Sequence, residues 1–285
     1  MLSWQYAAAA AVGLAIVAVT ARAVRRRRPG GAWSTWGGVA QEAALLFGLY
    51  ALWQFAGSFT VLSRVGAMSR ARWLWHAERV LRLPSETSVQ RLFLPHPLLV
   101  QAFNLYYDTL HFAALGACLI WLYLRHRDSY PAIRTTVALF TGASLLIQLI
   151  PVAPPRLLPV TGPGGTGLID TAVRYGQSVY SWHGGFNADE FSAMPSVHVG
   201  WALIVAIAVI TASRSRWRWL AAGYPILTML VVVVTANHFW LDGIVAGLLV
   251  ALVMAVQALA RRLRPDRDRV PGPAEDVRGE MSVRR

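Results

Sequence analysis

Seven long runs of apolar residues, at roughly 5–24, 41–62, 100–124, 133–152, 194–212, 219–236 and 239–260, leave this chain few folds to choose from. Most approach the ~20 residues that a helix needs to cross ~30 Å of hydrocarbon, where every backbone polar group must be satisfied internally. The expected fold is therefore all-α, a polytopic helical bundle in a membrane. Composition agrees: 55% of the 285 residues are hydrophobic and only 14% charged. All 27 basic residues are arginine, which excludes chemistry that needs a lysine amine and suggests a GC-rich bacterial genome, hence a bacterial plasma membrane. The net charge of +13 is assigned to anionic lipid headgroups, not nucleic acid, because the arginines flank the apolar runs. Cys118 is the sole cysteine, so neither an intrachain disulfide nor a cysteine metal cluster is expected.

Charge order sets the expected topology. Arg22 and Arg25 to Arg28 follow the first apolar run and no charge precedes it, the reverse of a signal peptide, so the run reads as a retained anchor with its N-terminus outside. That choice puts 19 of the 27 arginines on the cytoplasmic side, as the positive-inside rule favours. Six of the others lie in 63–99 among tryptophans and leucines at helical spacing, the pattern of an interfacial helix or two. Pro84-Ser85 breaks that stretch, with Ser85 as an N-cap for the second helix. The Gly- and Pro-rich segment 153–193 is an outer loop, and the charged tail is expected to be disordered. The expected organisation is an N-terminal anchor and basic linker (1–39), a catalytic membrane domain (40–262) and a cytoplasmic tail (263–285).

Three clusters place ionisable side chains at helix ends, all on the outer side in this topology; such residues are expensive in a membrane and functional by default. Ala193-Met194-Pro195-Ser196-Val197-His198-Val199-Gly200 opens the fifth apolar helix. Ser196 can cap it, the free N–H groups around Ser196 and Val197 form an anion site, and His198 is placed to exchange a proton with a phosphate ester oxygen. Asn237-His238-Phe239-Trp240-Leu241-Asp242 opens the seventh. His238 and Asp242, spaced i, i+4, share a face, so the carboxylate can hold one imidazole tautomer and leave the other nitrogen nucleophilic toward phosphorus. Ala153-Pro154-Pro155-Arg156 follows the fourth helix and offers a planar guanidinium suited to phosphate oxygens. Each alone has a structural alternative: an interfacial histidine, a structural His–Asp bond or half a metal site, an arginine reaching for headgroups. Their occurrence together on one side is what points to chemistry.

These motifs resemble the type 2 phosphatidic acid phosphatase superfamily, and within it the branch of inositolphosphotransferases that contains the aureobasidin-sensitive inositol phosphorylceramide synthases. The resemblance spans roughly 40–260 and rests on Ala193 to Gly200 and Asn237 to Gly247, supported by Ala153 to Arg156 and by Asn104-x2-Tyr107-x3-His111. It implies a six-helix core to which the first helix and the interfacial helices are additions. It also implies a phosphohistidine mechanism on a membrane lipid phosphate: His238 attacks phosphorus, Asp242 orients it, His198 protonates the leaving oxygen, and water or a polyol such as inositol completes the reaction. Neither metal nor cofactor is implied. Superfamily phosphatases commonly carry Lys-x6-Arg-Pro, Pro-Ser-Gly-His and Ser-Arg-x5-His; here the lysine is absent, Val197 replaces the glycine and Val232 stands where the third motif has arginine. Arg134 and Arg174 are therefore further candidates for the phosphate, with Asn237, Asp108 and His111 as supporting residues. The competing readings are a plain lipid phosphate or polyprenyl (pyro)phosphate phosphatase, a proton-coupled transporter that uses the same ionisable groups as a relay, and a vanadate-dependent oxidase.

Overall fold

In a computed structural model of the chain the described residues are 4–27, 40–42, 44, 47, 48, 51, 66–162, 165–176 and 191–263. Most of the second apolar run, the linker 28–39, the stretch 177–190 of the outer loop and the tail from 264 lie outside the described residues. The helices are α1 (Trp4–Arg27), α2 (Ala67–Val80), α3 (Glu86–Phe93), α4 (Pro97–Arg125), α5 (Tyr130–Gln148), α6 (Thr171–Tyr175), α7 (Val197–Ala212), α8 (Gly223–Val234) and α9 (Trp240–Arg262). The protein is thus an all-α membrane protein, as its apolar runs require.

Four described segments are long and apolar enough to cross a bilayer: α4, α5, Arg216–Val234, in which a 3-10 stretch leads into α8, and α9. α7 is apolar but has only 16 residues, about 24 Å at 1.5 Å per residue. It begins late because the chain before it is not helical: Ser196 is the N-cap, its hydroxyl accepting the Val199 N–H, and Pro195 precedes it. This short helix is nevertheless the centre of the bundle, packed against α4, α5, α8 and α9. Leu115, Cys118 and Leu122 from α4, Ile133, Val137 and Phe140 from α5, Ile204 and Ala208 from α7, and Ala246 and Val250 from α9 form one buried cluster. Outward-facing side chains such as Leu124, Leu146, Leu248 and Leu252 remain exposed and apolar, as a lipid-facing surface demands.

Close approach decides one glycine. A Cβ on Gly200 would lie 2.0 Å from Cζ of Phe140, whose ring is fully buried. Small residues let membrane helices meet at such short range. Gly200→Ala is expected to cost on the order of 1–3 kcal/mol by overpacking, measured as a lower midpoint of thermal unfolding in detergent. Gly243→Ala is the control: its Cβ meets the flexible end of Met229, which can move aside, and Val199 at an ordinary contact distance of 3.5 Å.

The segment before α4 forms a helical hairpin against the same end of the bundle. Ser85 caps α3 by accepting the Ser88 N–H, as its position after Pro84 predicts. α2 buries Ala67, Ala71, Leu74 and Glu78, a single stripe at helical spacing. The apolar members of that stripe pack on Val152, Ala153, Phe191, Ala193 and Phe239, and so reach the turn between α8 and α9.

Candidate active site

The site grows from two helix starts and two segments that converge on them. α8 stops after Val234 in a Schellman turn: the Asn237 N–H reaches the Val232 carbonyl and the Ala236 N–H that of Val233. Glycine normally occupies the left-handed position of that motif, but Ala236 holds it with φ 54°, a strain of about 1 kcal/mol that the surrounding bonds sustain. The carbonyl of Ala236 accepts the Arg156 N–H at 3.0 Å, tying the Pro-Pro-Arg segment to this turn. His238 follows directly, and α9 begins two residues later.

His238 is almost fully buried. Its Nδ1 lies 2.7 Å from the Ala193 carbonyl and 3.4 Å from Oδ2 of Asp242. A carbonyl oxygen can only accept, so Nδ1 carries the hydrogen and the lone pair of the neutral ring sits on Nε2. The sequence pattern assigned that task to Asp242 alone; the structure adds a closer partner 45 positions away. Asp242, fully buried, also accepts the Phe239 N–H at 2.8 Å, so one carboxylate holds both the imidazole and the turn that carries it.

His198 sits in the first turn of α7, its ring centroid 5.5 Å from that of His238. The two imidazoles are close enough to touch one phosphoryl group. Tyr107 stacks on the His198 ring at 4.2 Å, and His111 meets the same ring edge-on at 4.2 Å. Tyr107 and His111, one turn apart on α4, therefore fix the plane of His198. Tyr107 also approaches the His238 ring, at 6.2 Å.

Arg156 is buried, donates to Oδ1 of Asn237, and pairs through Nε with Asp170 at 3.4 Å. Asn237 is the residue before His238, so the guanidinium is fastened to the turn that carries the imidazole. Its amide nitrogen donates to the Thr235 hydroxyl at 2.9 Å.

Other expected site residues are arranged differently. The Ser196 N–H donates to the backbone carbonyl of Asp242 at 3.1 Å, so it joins α7 to α9 and is not an anion donor. The amides of Val197 and His198, the first two of α7, have no partner within the helix, since a helix leaves its first N–H groups without one. Arg134 is on the first turn of α5, bonded to Glu42, whereas the other end of α5 leads to the site; it is not brought to the phosphate position because the helix length separates them. Arg174 is exposed on α6 and lies over the Tyr175 ring. Asp108, next to Tyr107 on α4, is half-buried. It is Asn104 of that pattern that forms a buried link, bonding the carbonyls of Thr171 and Gly176 and receiving the Thr171 hydroxyl. Val232, where the related motif has arginine, is buried, and its carbonyl receives both the Asn237 and His238 N–H groups.

Two features stand outside the residues expected from the sequence: the Ala193 carbonyl, which no side chain announces, and Glu78, whose signal was present. Glu78 falls on the stripe Ala67, Ala71, Leu74, and a carboxylate on the apolar face of a helix needs an explanation. Among the described residues no group of three or more His, Cys, Asp or Glu could hold a metal ion.

Comparison with known proteins places the chain in a family. A family model described as the PAP2 superfamily matches residues 72–257, more than half of the chain and everything from within α2 to within α9. No curated protein and no solved structure matches the chain. The family match covers every helix that brings the paired histidines together, and the chain accordingly belongs to the PAP2 superfamily as a membrane-embedded enzyme of the phosphatase type.

Proposed function

We propose that the protein transfers a phosphoryl-linked group from a membrane lipid phosphate through a phosphohistidine on His238. The observation that carries the reading is the bond from Nδ1 of His238 to the Ala193 carbonyl, which leaves Nε2 as the nucleophile, with a second imidazole 5.5 Å away. In the first step Nε2 of His238 attacks phosphorus, the bond from phosphorus to the leaving oxygen breaks, and protonated His198 delivers its proton to that oxygen. In the second step water or an alcohol attacks the phosphohistidine, its proton passes to His198, and the phosphorus–nitrogen bond breaks. Arg156 and the amides of Val197 and His198 balance the charge on the phosphoryl oxygens, with no step that needs a metal ion.

The absence of lysine and the valine at position 232 favour the inositolphosphotransferase branch, so the finer reading is transfer of a phosphoinositol-type headgroup to an alcohol. The distribution of arginines favours a site on the extracytoplasmic face of a bacterial plasma membrane. The test is a rapid quench of purified protein with lipid phosphates labelled at phosphorus. Label on His238 that is stable in base and labile in acid is the expected result. Turnover that leaves no label on the wild-type protein and persists in His238→Ala would overturn the reading. Supplying inositol and lipid alcohols then separates the two outcomes: a new headgroup-bearing lipid means transfer, and release of free phosphate with every acceptor means hydrolysis.

A further inference from the structure

Glu78 and Glu86 are both fully buried, one on α2 and one at the start of α3, and neither belongs to the motifs that carry the family resemblance. Oε1 of Glu78 accepts the Leu241 N–H at 2.8 Å. Leu241 is in the first turn of α9, between Phe239 and Asp242, so this carboxyl caps the helix that carries the proposed catalytic aspartate. Two more contacts join the same pieces: the Trp240 indole donates to the Pro84 carbonyl at 2.8 Å, and Phe239 packs on Ala67, Ala71 and Leu74 of α2. The hairpin of α2 and α3 thereby grips three consecutive residues that follow His238.

The chemistry of the grip requires a proton. Oε2 of Glu78 and Oε1 of Glu86 are buried without a donor when both groups are written as carboxylates. Arg79, the cation beside both carboxyls, bonds Oε2 of Glu86 and lies 3.9 Å from Oε2 of Glu78, and so leaves Oε2 of Glu78 and Oε1 of Glu86 without a hydrogen. Two buried carboxylate oxygens without a donor are costly, and a hydrogen held by one of the two groups removes that cost. The charged groups around the pair are Arg79, which bonds Glu86 and lies 3.9 Å from Glu78, and Asp242 on α9. One cation against three carboxyls leaves two charges unbalanced, and a proton on the pair removes one of them. Burial first, and then the bond to Glu86 and its charge, push Glu78 from 4.5 up to about 9.

We propose that Glu78 is a positioning residue for the proposed reaction: its carboxyl, joined to Glu86 through one shared proton, holds the Leu241 amide and so fixes the turn on which Asp242 meets His238. This rests on the reading of His238 as nucleophile, but its own measurements need no substrate. Above the pH at which the pair loses its proton, two charged carboxyls face the start of α9 beside Asp242, and the grip fails.

Glu78→Gln is the discriminating variant, because the amide oxygen can still accept the Leu241 N–H and the amide nitrogen can donate to Glu86. With a lipid phosphate substrate, Glu78→Ala is expected to lose at least tenfold in kcat with KM nearly unchanged, while Glu78→Gln stays within about threefold of wild type. The wild-type rate falls near pH 9 and that of Glu78→Gln does not.

The substrate-free readout is stability against pH. A carboxyl with a raised pKa keeps its proton in the folded state while the unfolded chain releases it, so that stability is full below about 4.5 and declines as pH rises toward about 9. The thermal midpoint of wild type follows that slope, and the slope is smaller in Glu78→Gln. Hydrogen exchange at the Leu241 amide quickens in Glu78→Ala and not in Glu78→Gln. Full kcat in Glu78→Ala, a Glu78→Gln variant as impaired as Glu78→Ala, or an unchanged pH slope in Glu78→Gln would each overturn the proposal. A wild-type protein that turns over no lipid phosphate removes the proposed function instead, and the slope and exchange measurements still report on Glu78.

Discussion

Replacement of His238 by alanine is expected to leave no more than about a ten-thousandth of wild-type turnover on lipid phosphates, because it removes the nucleophile itself and not a contact that tunes it. His198→Asn keeps size and polarity but cannot deliver a proton, and a loss of roughly 10²–10⁴ is the general scale for a displaced acid–base group. The difference between the two is informative, since an activated leaving group needs no acid. With an aryl phosphate the His198→Asn variant is expected to recover most of its rate and the His238→Ala variant none of it. Asp242→Asn stands between them. The Ala193 carbonyl at 2.7 Å still holds the Nδ1 hydrogen when the carboxylate is lost, so the tautomer survives. What disappears is the charge beside the imidazole as it bonds to phosphorus, and a drop of about one to two powers of ten follows. A full-length kinetic comparison of the three variants in detergent checks the series; equal rates in wild type and His238→Ala would end the reading.

Arg156→Ala is the second large effect, a fall of roughly 10²–10³ in kcat/KM, the scale for removal of one preorganised donor to a reacting oxyanion. The size of the effect depends on rigidity. Arg156 is buried, fastened to Asn237 on one side and to Asp170 on the other, with its backbone N–H bonded to Ala236. Its guanidinium is therefore held on the turn that carries His238 before substrate arrives. Arg156→Lys keeps a charge but not a planar fork, and cannot serve Asn237 and Asp170 together, so most of the loss is expected to remain. Steady-state kinetics with a short-chain lipid phosphate, alongside size-exclusion profiles that report folding, measure it. Arg134→Ala is the contrast: that arginine bonds Glu42 at the other end of α5, and its loss is expected to leave kcat/KM near wild type.

Legibility in the sequence followed the range of the interactions. Helix starts could be read because their signals are local: Ser85 before Glu86, Ser196 after Pro195, the apolar stripe of α2. Arg156 beside Asn237 could be anticipated only as two motifs on one side, since the bond spans 81 positions. Ser196 shows the limit of local reasoning. An amide at a helix start is a fair anion donor in isolation, but in the bundle the backbone of Asp242 takes it. Arg134 is the reverse case: arginine placement puts it on the side away from the three clusters, and the packed helix fixes it there, bonded to Glu42 with the length of α5 between it and the site. Glu78 could have been noticed as a carboxylate on an apolar stripe, yet its partners Glu86 and Leu241 come from different elements.

Apolar length and arginine placement by themselves determined that this protein is a membrane bundle of helices, because hydrocarbon admits no other backbone arrangement for such runs and the preference is decided residue by residue. The same local rules put His198 and His238 at helix starts. Tertiary structure alone decided which nitrogen of His238 is free, through the Ala193 carbonyl, how Tyr107 and His111 hold His198, and that a buried glutamate of α2 accepts an amide at the start of α9. Those contacts join residues tens of positions apart, and their energies exist only once packing has excluded lipid and water from the space between the helices.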